Sequence, residues 1–319
     1  TISVFRKVLL ATQDADQVIA DIASPDTHVI TMTVTEKGYH LTAPDGGIVA
    51  TAPPSGAGLQ SGLSRNALGL LAAGLRARAA RGHAPITVIS CDNLNENGTR
   101  LRQALTDHIA IWQPDLLGWI ERHASFPNSM VDRITPRISE RAAADIQTAA
   151  GKPDLSVVGT EAFSEWVIED IFKGKRPDWD SVGARFVDDI GPYEIRKLRL
   201  LNAAHSYLAY AGLLRGHRFI HEAIADPHLR AGVDGLWDEA AATLADHDSA
   251  SITAYRKALV NRFSVPQVRH ALTQIASDGS LKLRERVVPI IRDCTEKGLN
   301  APWANAALDS WVHYVCKCL

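Results

Sequence analysis

The chain has 319 residues, of which 46% are hydrophobic and 22% charged, a composition typical of a globular protein with room for two domains. Its formal net charge of -2 provides no basic field for nucleic acid, and no apolar run reaches the roughly 20 residues that span a bilayer. We therefore expect a cytoplasmic protein that binds neither nucleic acid nor membrane.

Predicted helices and strands alternate over the first part of the chain. The helices have apolar residues at helical spacing, and the strands are β-branched apolar runs. In chain order the segments are helix DADQVIADIASPDT, strand HVITMTVT, helix SRNALGLLAAGLRARAARG with serine at its start, strand APITVISCDNL, helix NGTRLRQALTDHIAIW, and a third strand in SFPNSMVDRITP. This alternation predicts an α/β unit built on a parallel sheet.

The pattern changes after about Pro192, where strand signals almost disappear. The segments with helical apolar spacing are LRAGVDGLWDEAAATLAD, ASITAYRKALVNRFS, PQVRHALTQIASDG and LRERVVPIIRDCTEKG. These segments predict a mostly helical second unit, and we expect a cleft between the two units.

One predicted helix, around KLRLLNAAHS, places several polar residues on an apolar face. At about 100° per residue, Glu194, Lys197, Asn202 and His205 fall within one arc that leucines share. Core residues that hydrogen-bond internally would explain such an arc. A lysine, however, is almost never fully buried without a partner, and burial lowers its pKa toward a value that suits a general acid or base.

Polar residues also follow the predicted strands. VTEKGYH contains Glu36 and Lys37, SCDNL contains Asn93, and NSMVDRITP contains Asp132 and Arg133. In open parallel sheets, ligands bind outside the carboxyl ends of the strands, so these residues are candidates for binding. Ordinary turn chemistry explains the same residues equally well.

Several familiar site types are absent from the sequence. It contains no G-x-G-x-x-G, no phosphate-binding G-x-x-x-x-G-K-[ST], no G-x-S-x-G and no H-E-x-x-H. Four cysteines are too few for a disulfide framework and lack the spacing of zinc ligands, so we expect reduced thiols and no metal site.

The pattern K-x4-N-x2-H, at Lys197, Asn202 and His205, resembles the signature of the mannitol dehydrogenase family, the polyol-specific long-chain dehydrogenases. The resemblance covers nearly the whole chain. Further stretches that resemble the family, in its order, are TVTEKGY, SCDNL, NSMVDRITP, EWVIEDIFKGKRPDW and QIASDGSLKL. The stretches around the lysine helix look most like those of members that act on fructuronate and D-mannonate.

The resemblance implies metal-independent hydride transfer between NAD and a secondary alcohol or ketone, in a protein that is often monomeric. It makes Lys197 the general acid/base, with Asn202 and Asn93 donating hydrogen bonds to the reacting oxygen and His205 orienting the substrate or Lys197. The remaining roles that it implies are substrate binding by Asp132 and Arg133, proton gating by Glu194, and cofactor binding by Glu36, Lys37 and Asn93.

The resemblance also sets the domain organisation that we expect, in the fold class α/β plus all-α. Residues 1–192 correspond to a partial Rossmann-type, dinucleotide-binding domain that lacks the family's first strand and glycine-rich turn. Residues 193–319 correspond to a helical substrate and catalytic domain that stops before the relatives' last helices. We therefore expect a chain truncated at both ends.

Three functional hypotheses follow. The leading one is an oxidoreductase that interconverts a hexuronate ketone and its alcohol, fructuronate and D-mannonate. A mannitol 2-dehydrogenase-type enzyme that oxidises mannitol to fructose is the alternative, and an inactive remnant that only binds a sugar acid or a partner belongs to another class. A substrate carboxylate needs an arginine in the site. The candidates are Arg262, Arg269, Arg284 and Arg286. Each of them is expected more often at the surface than in contact with a ligand.

Overall fold

A computed structural model of the protein describes residues 5–34, 66–151, 156–244 and 249–318. The chain divides into two compact units. The first contains Thr1–Val131 and Glu165–Ile190, and the second contains Asp132–Ser164 and Gly191–Leu319. The second unit thus takes in residues 132–164, which sequence analysis assigns to the first domain.

The first unit contains a three-stranded sheet with the order β1 (Val29–Met32), β2 (Ile86–Ser90) and β3 (Ala124–Ser125). β2 is parallel to both neighbours and all five of its residues are buried, as expected for a central strand of a parallel sheet. The predicted parallel α/β sheet is therefore confirmed. Its helices are α1 (Ala15–Ala23), α2 (Ala67–Ala80), α3 (Asn97–Trp112) and α4 (Leu117–His123).

The start of α2 differs from the prediction. Asn66, not a serine, caps the helix, because the Asn66 side chain accepts a hydrogen bond from the backbone N–H of Gly69 at 2.8 Å. Asparagine and serine satisfy the first N–H groups of a helix in the same way, so the apolar periodicity alone does not choose between them.

A second sheet has the order β4 (Ser129–Asp132), β5 (Glu165–Glu169) and β6 (Ala184–Val187), with β5 and β6 parallel. No strand is predicted from the sequence at β5 or β6. Only Val167 and Ile168 of β5 are fully buried, and every residue of β6 is partly or fully exposed, so neither strand has a strong apolar pattern.

The second unit is mostly helical, as predicted. Its helices are α5 (Glu140–Ala150), α6 (Gly191–Arg196), α7 (Ala203–Leu214), α8 (Ile220–Ala225), α9 (Pro227–Thr243), α10 (Ser249–Phe263), α11 (Leu272–Ile275), α12 (Gly279–Arg286), α13 (Val288–Glu296) and α14 (Pro302–Cys318). Residues 203–212 of α7 are all buried, so α7 lies at the centre of the helical core. No helix in the described ranges is long and apolar enough to cross a membrane.

The segment PQVRHALTQIASDG does not form the single helix that was predicted. A 3-10 turn at Pro266–Val268 is followed by Arg269 with a φ of 46°, and only α11 is helical after it. Backbone bonds to residues 218–220 replace helical ones: Ile220 donates to the carbonyl of His270, and Leu272 donates to that of Arg218. Tertiary pairing therefore overrides the local helical pattern here.

Candidate active site

The candidate site is built on a π-helical turn. Lys197–Asn202 forms this turn between α6 and α7, and the backbone N–H of Ala203 donates to the carbonyl of Leu198, five residues earlier. In an α-helix, Asn202 would lie about 140° around the axis from Lys197. The wider turn, in which bonds join residues five apart, brings these two side chains onto neighbouring positions. The α-helical geometry assumed for this stretch is therefore wrong, and the shared role of its polar residues stays a prediction.

The amine of Lys197 is sheltered within the second unit, where the residue is 8% exposed. Burial lowers the pKa of Lys197 to about 8, because desolvation penalises the charged ammonium. The carboxylates of Asp132 and Glu194 oppose this change, whereas the guanidinium groups of Arg286 and Arg262 add to it. Near neutral pH the amine is thus present in both protonation states, as a general acid/base requires.

Asn202 and His205 present unpaired polar atoms on the same helix. Nδ2 of Asn202 and Nε2 of His205 are buried and have no hydrogen-bond partner among the described residues. Because buried polar groups are nearly always hydrogen-bonded, such atoms mark a place where a polar ligand can bind. Asn202 accepts at its backbone carbonyl from the hydroxyl of Ser206 at 3.1 Å.

The ring of His205 is held by two aromatic neighbours. It stacks on Phe263, with ring centroids 4.6 Å apart, and meets His270 edge-on at 5.5 Å. Burial, with the charges of nearby cationic groups, lowers the pKa of His205 well below its usual value. The imidazole is therefore neutral at physiological pH and can act as a hydrogen-bond donor or acceptor to a ligand.

A buried charge cluster lies beside Lys197. Arg262 donates to both oxygens of Asp132, at 2.7 and 2.9 Å, and to both oxygens of Glu161, at 2.7 and 2.9 Å. The hydroxyl of Tyr255 donates to Asp132 at 3.0 Å, and the backbone N–H of Ile134 donates to Glu161 at 2.6 Å. This cluster fixes the carboxylate of Asp132, which in turn favours the charged form of Lys197.

Comparisons with known proteins identify the family of this chain. The mannitol dehydrogenase Rossmann domain matches residues 1–181, and the mannitol dehydrogenase C-terminal domain matches residues 189–318. The chain belongs to the mannitol dehydrogenase family. The predicted family and fold class are therefore confirmed.

Two relatives and two solved structures illustrate the match. D-mannonate oxidoreductase of Escherichia coli (strain K12) is 38% identical over 297 residues, which are 92% of this chain and 61% of that protein. Mannitol 2-dehydrogenase of Phaeosphaeria nodorum is 36% identical over 312 residues, 96% of this chain and 55% of that protein. The chain thus spans about three fifths of the length of the relatives that it matches.

Among solved structures, the ternary complex of Pseudomonas fluorescens mannitol 2-dehydrogenase with NAD and D-mannitol has a TM-score of 0.83 and 35% identity. The match covers 96% of this chain and 63% of that one. Substrate-free D-sorbitol dehydrogenase has a TM-score of 0.85 and 30% identity, with coverage of 98% and 65%. The fold of the mannitol dehydrogenase family therefore extends over nearly all of this chain.

The remaining site residues predicted from the family signature fall into three groups. Glu194 is buried one turn before Lys197, and its role as a proton gate stays a prediction. Arg133 is exposed and donates to Thr160 at 2.9 Å and to the carbonyl of Glu161 at 3.1 and 3.2 Å, so these contacts brace a loop and lend no support to substrate binding. Glu36 and Lys37 lie outside the described residues.

In the first unit, the asparagines that follow β2 have different surroundings, since some are buried and hydrogen-bonded to the backbone and others are exposed. Asn97 ties the loop after β2 to β4, since its amide donates to the carbonyls of Asp92 at 2.9 Å and Ser129 at 2.7 Å. Asn93 is exposed, and Oδ1 of Asn95 is buried without a hydrogen bond from any described residue. The loop is thus rigid at its base, and the predicted roles of Asn93 stay predictions.

The charge cluster around Asp132 is not predicted from the sequence. Arg262 is expected there only as a possible carboxylate ligand, and more often at the surface, and this expectation is wrong because Arg262 is buried between two carboxylates. One signal was available, since Leu259, Arg262 and Phe263 follow helical spacing on the buried face of α10. Tyr255 shares this spacing, because it lies on the same buried face of α10, whereas Glu161 carries no comparable signal. The described residues contain no group of three or more His, Cys, Asp or Glu that could hold a metal ion.

Proposed function

We propose that this protein is an NAD-dependent oxidoreductase that interconverts a hexuronate ketone and its alcohol, such as fructuronate and D-mannonate, with Lys197 as general acid/base. The observation that carries the proposal is the buried amine of Lys197, with a pKa of about 8, on one helical face with unpaired amide and imidazole nitrogens. No metal is needed, because a protonated amine and an amide N–H can together stabilise a developing alkoxide.

Each side chain has a defined task in this reaction. In reduction, the ammonium of Lys197 donates its proton to the carbonyl oxygen as that oxygen gains charge, and in oxidation the neutral amine removes the proton of the hydroxyl. Nδ2 of Asn202 donates a hydrogen bond to the same oxygen, which lowers the energy of the charged transition state. Nε2 of His205 binds a neighbouring hydroxyl and fixes the orientation of the sugar.

Residues of the first unit fit a dinucleotide. NAD, when bound, accepts or supplies the hydride at the reacting carbon. The proposed binding residues are Asn93, which follows the carboxyl end of β2, together with Glu36 and Lys37. The buried, unpaired Oδ1 of Asn95 supports a polar ligand at this end of the sheet, which is where parallel sheets bind nucleotides.

The similarity to D-mannonate oxidoreductase supports a sugar acid as substrate. The similarity to the complex of mannitol 2-dehydrogenase with D-mannitol favours a neutral polyol as the second candidate. A paired assay, fructuronate with NADH against mannitol with NAD, separates the two.

The Lys197→Ala variant tests the central assignment. We expect turnover to fall by about 10³-fold or more, because the group that moves the proton is lost. The affinity for NADH, followed through quenching of the protein's seven tryptophans, should stay within twofold, because the amine acts in the chemical step.

Lys257→Ala is the matched control, because Lys257 is an exposed lysine of the same unit. It should retain wild-type rates. Near-normal turnover of Lys197→Ala would refute the acid/base assignment, and a wild-type protein without saturable NADH binding would point instead to a protein that only binds a sugar acid or a partner.

A further inference from the structure

A second histidine lies beside the proposed substrate site. His270 meets the ring of His205 edge-on, with the ring centroids 5.5 Å apart. Nδ1 of His270 is buried and, like Nε2 of His205, has no hydrogen-bond partner among the residues that the structure describes. Because buried polar atoms are nearly always hydrogen-bonded, two such nitrogens on adjacent rings indicate a place for a ligand with more than one polar group.

The backbone around His270 holds this residue in place. Its carbonyl accepts a hydrogen bond from the backbone N–H of Ile220 at 3.0 Å, and Phe219 and Ala271 form an antiparallel bridge beside it. Arg269, directly before it, has a φ of 46°, a left-handed conformation that residues other than glycine adopt only at a cost in free energy. A backbone that is paired on one side and strained on the other gives the imidazole a defined position, which a binding residue needs.

His205 is fixed as firmly, and it links His270 to Asn202. Its ring stacks on Phe263, with centroids 4.6 Å apart, and it lies in the buried helix α7, one turn after Asn202. Nδ2 of Asn202 is the third buried nitrogen for which the described ranges contain no partner. All three residues belong to the second unit, so Asn202, His205 and His270 form a connected series of vacant hydrogen-bonding positions.

Both imidazoles are uncharged at neutral pH. Burial and the charge of Lys282 lower the pKa of His270 to about 4, and burial lowers the pKa of His205 well below its usual value. A neutral imidazole has one N–H donor and one nitrogen acceptor, so it matches a hydroxyl group, which also donates and accepts. A carboxylate only accepts, so the two rings fit the hydroxyls of a sugar chain better than its acid end.

We propose that His270 binds a second hydroxyl of the sugar chain, next to the hydroxyl that His205 binds, and thereby helps to select an open-chain substrate with hydroxyls on successive carbons. This inference rests on the proposed function. D-mannonate and D-mannitol both carry such hydroxyls, so the role of His270 is the same for either substrate.

The test separates the polar atom of His270 from the shape of its ring. The amide of His270→Asn places a polar atom near the position of Nδ1, whereas His270→Phe keeps a ring and has no polar atom. For His270→Phe, KM for whichever of D-mannonate and D-mannitol the wild type oxidises should rise roughly 10- to 100-fold, because a buried hydroxyl loses its partner. The change in kcat should be small, because this hydroxyl is bound equally in the ground state and the transition state.

Two further variants serve as comparisons. His270→Asn should keep KM within threefold of the wild type, because it retains the hydrogen bond. His228→Phe, which changes an exposed histidine at the start of α9, should leave both kcat and KM unchanged. Circular dichroism shows whether each variant is folded, and His270→Ala replaces His270→Phe in the same comparison if the phenylalanine variant is not.

Titration calorimetry of the same sugars measures affinity without turnover, and the affinity for the sugar should fall by the factor by which KM rises. A wild-type KM in folded His270→Phe overturns the inference. An equal loss in His270→Asn and His270→Phe overturns it as well, because the shape of the ring and not its hydrogen bond would then decide binding.

The two proposals fail separately. A wild type that reduces no fructuronate and oxidises neither D-mannonate nor D-mannitol refutes the proposed function, and calorimetry with the His270 variants still tests whether this residue binds a sugar hydroxyl. Loss of turnover in Lys197→Ala together with an unchanged KM in His270→Phe leaves Lys197 as the acid/base and removes His270 from substrate binding.

Discussion

At the scale of single residues, the burial of Lys197 disfavours its charged form and brings the pKa of its amine into the range that suits a general acid/base. An exposed lysine is almost entirely charged at neutral pH, whereas burial brings the pKa of Lys197 to about 8. The neighbouring carboxylates limit this change, and Asp132 can do so because Arg262 holds it in place. The reactivity of one amine therefore depends on a partner 65 positions further along the chain, which no local sequence pattern indicates.

The two directions of the reaction should respond oppositely to pH. Oxidation needs the neutral amine of Lys197, so kcat should rise about tenfold per pH unit below a midpoint near 8 and level off above it. Reduction needs the ammonium, so kcat should be constant below pH 8 and fall above it. Steady-state rates from pH 6 to pH 10 measure both profiles, and parallel profiles in the two directions would contradict the assignment.

Residue-level prediction succeeds where the information is local. Lys197, Asn202 and His205 lie within nine residues of one another, so a local helical pattern indicates them, although it does not predict the π-turn between Lys197 and Asn202. Asp132 and Arg262 are 130 residues apart, and their contact depends on how residues 132–164 pack against α10. Spacing along the chain cannot reveal such a pair.

At the scale of elements, the cluster of Asp132, Glu161 and Arg262 joins α10 to residues 132–164. All three side chains are buried, so each charge depends on the others for compensation. Asp132 of this cluster is the carboxylate that raises the pKa of Lys197 most. One set of interactions thus serves both the packing of the second unit and the tuning of its amine.

Removing the arginine should be costly. Arg262→Met leaves two buried carboxylates without their counterion, and we expect the free energy of unfolding to fall by roughly 3–5 kcal/mol. Urea denaturation followed by circular dichroism measures the change. Arg292→Met, which breaks a pair whose arginine side chain is 63% exposed, should cost less than about 1 kcal/mol. A loss for Arg262→Met as small as that for Arg292→Met would show that the cluster contributes little.

Elements with strong periodicity are predicted well, and elements made by tertiary pairing are not. The sequence of α3 coincides with its predicted segment, because its apolar spacing and the polar loop before it are both local signals. β5 and β6 were missed because most of their residues are only partly buried. The segment PQVRHALTQIASDG was misjudged because its backbone pairs with residues 218–220.

At the scale of the whole molecule, helices of the described part of the second unit differ widely in how deeply their residues are buried. Residues 203–212 of α7 are buried throughout, whereas α5 buries no residue. Protection from solvent follows packing, because a helix without buried contacts opens at little cost in free energy.

Backbone amides of α7 should exchange with solvent much more slowly than those of α5. Amides of α7 should exchange only through unfolding of the whole unit, and those of α5 through local opening, with rates that differ by several orders of magnitude. Exchange measured by mass spectrometry from seconds to days tests this ranking. Similar protection in peptides from the two helices would argue against it.

The two-part layout follows from periodicity, because the spacing of apolar residues changes after about Pro192. The grouping of residues 132–164 with the helical unit does not follow from it. Ile134 packs into the helical core, and its backbone N–H donates to Glu161, so the grouping depends on contacts that form only after folding.

The π-turn has a consequence for attempts to make this protein more heat-tolerant. A turn closed by bonds between residues five apart holds one residue more than an α-helical turn, so deleting a residue within 198–201 would restore a regular helix. Design methods that favour ideal helices would prefer that shorter sequence. The same edit would rotate Lys197 by about 100° relative to His205, so the protein would become more stable but lose the proposed acid/base geometry.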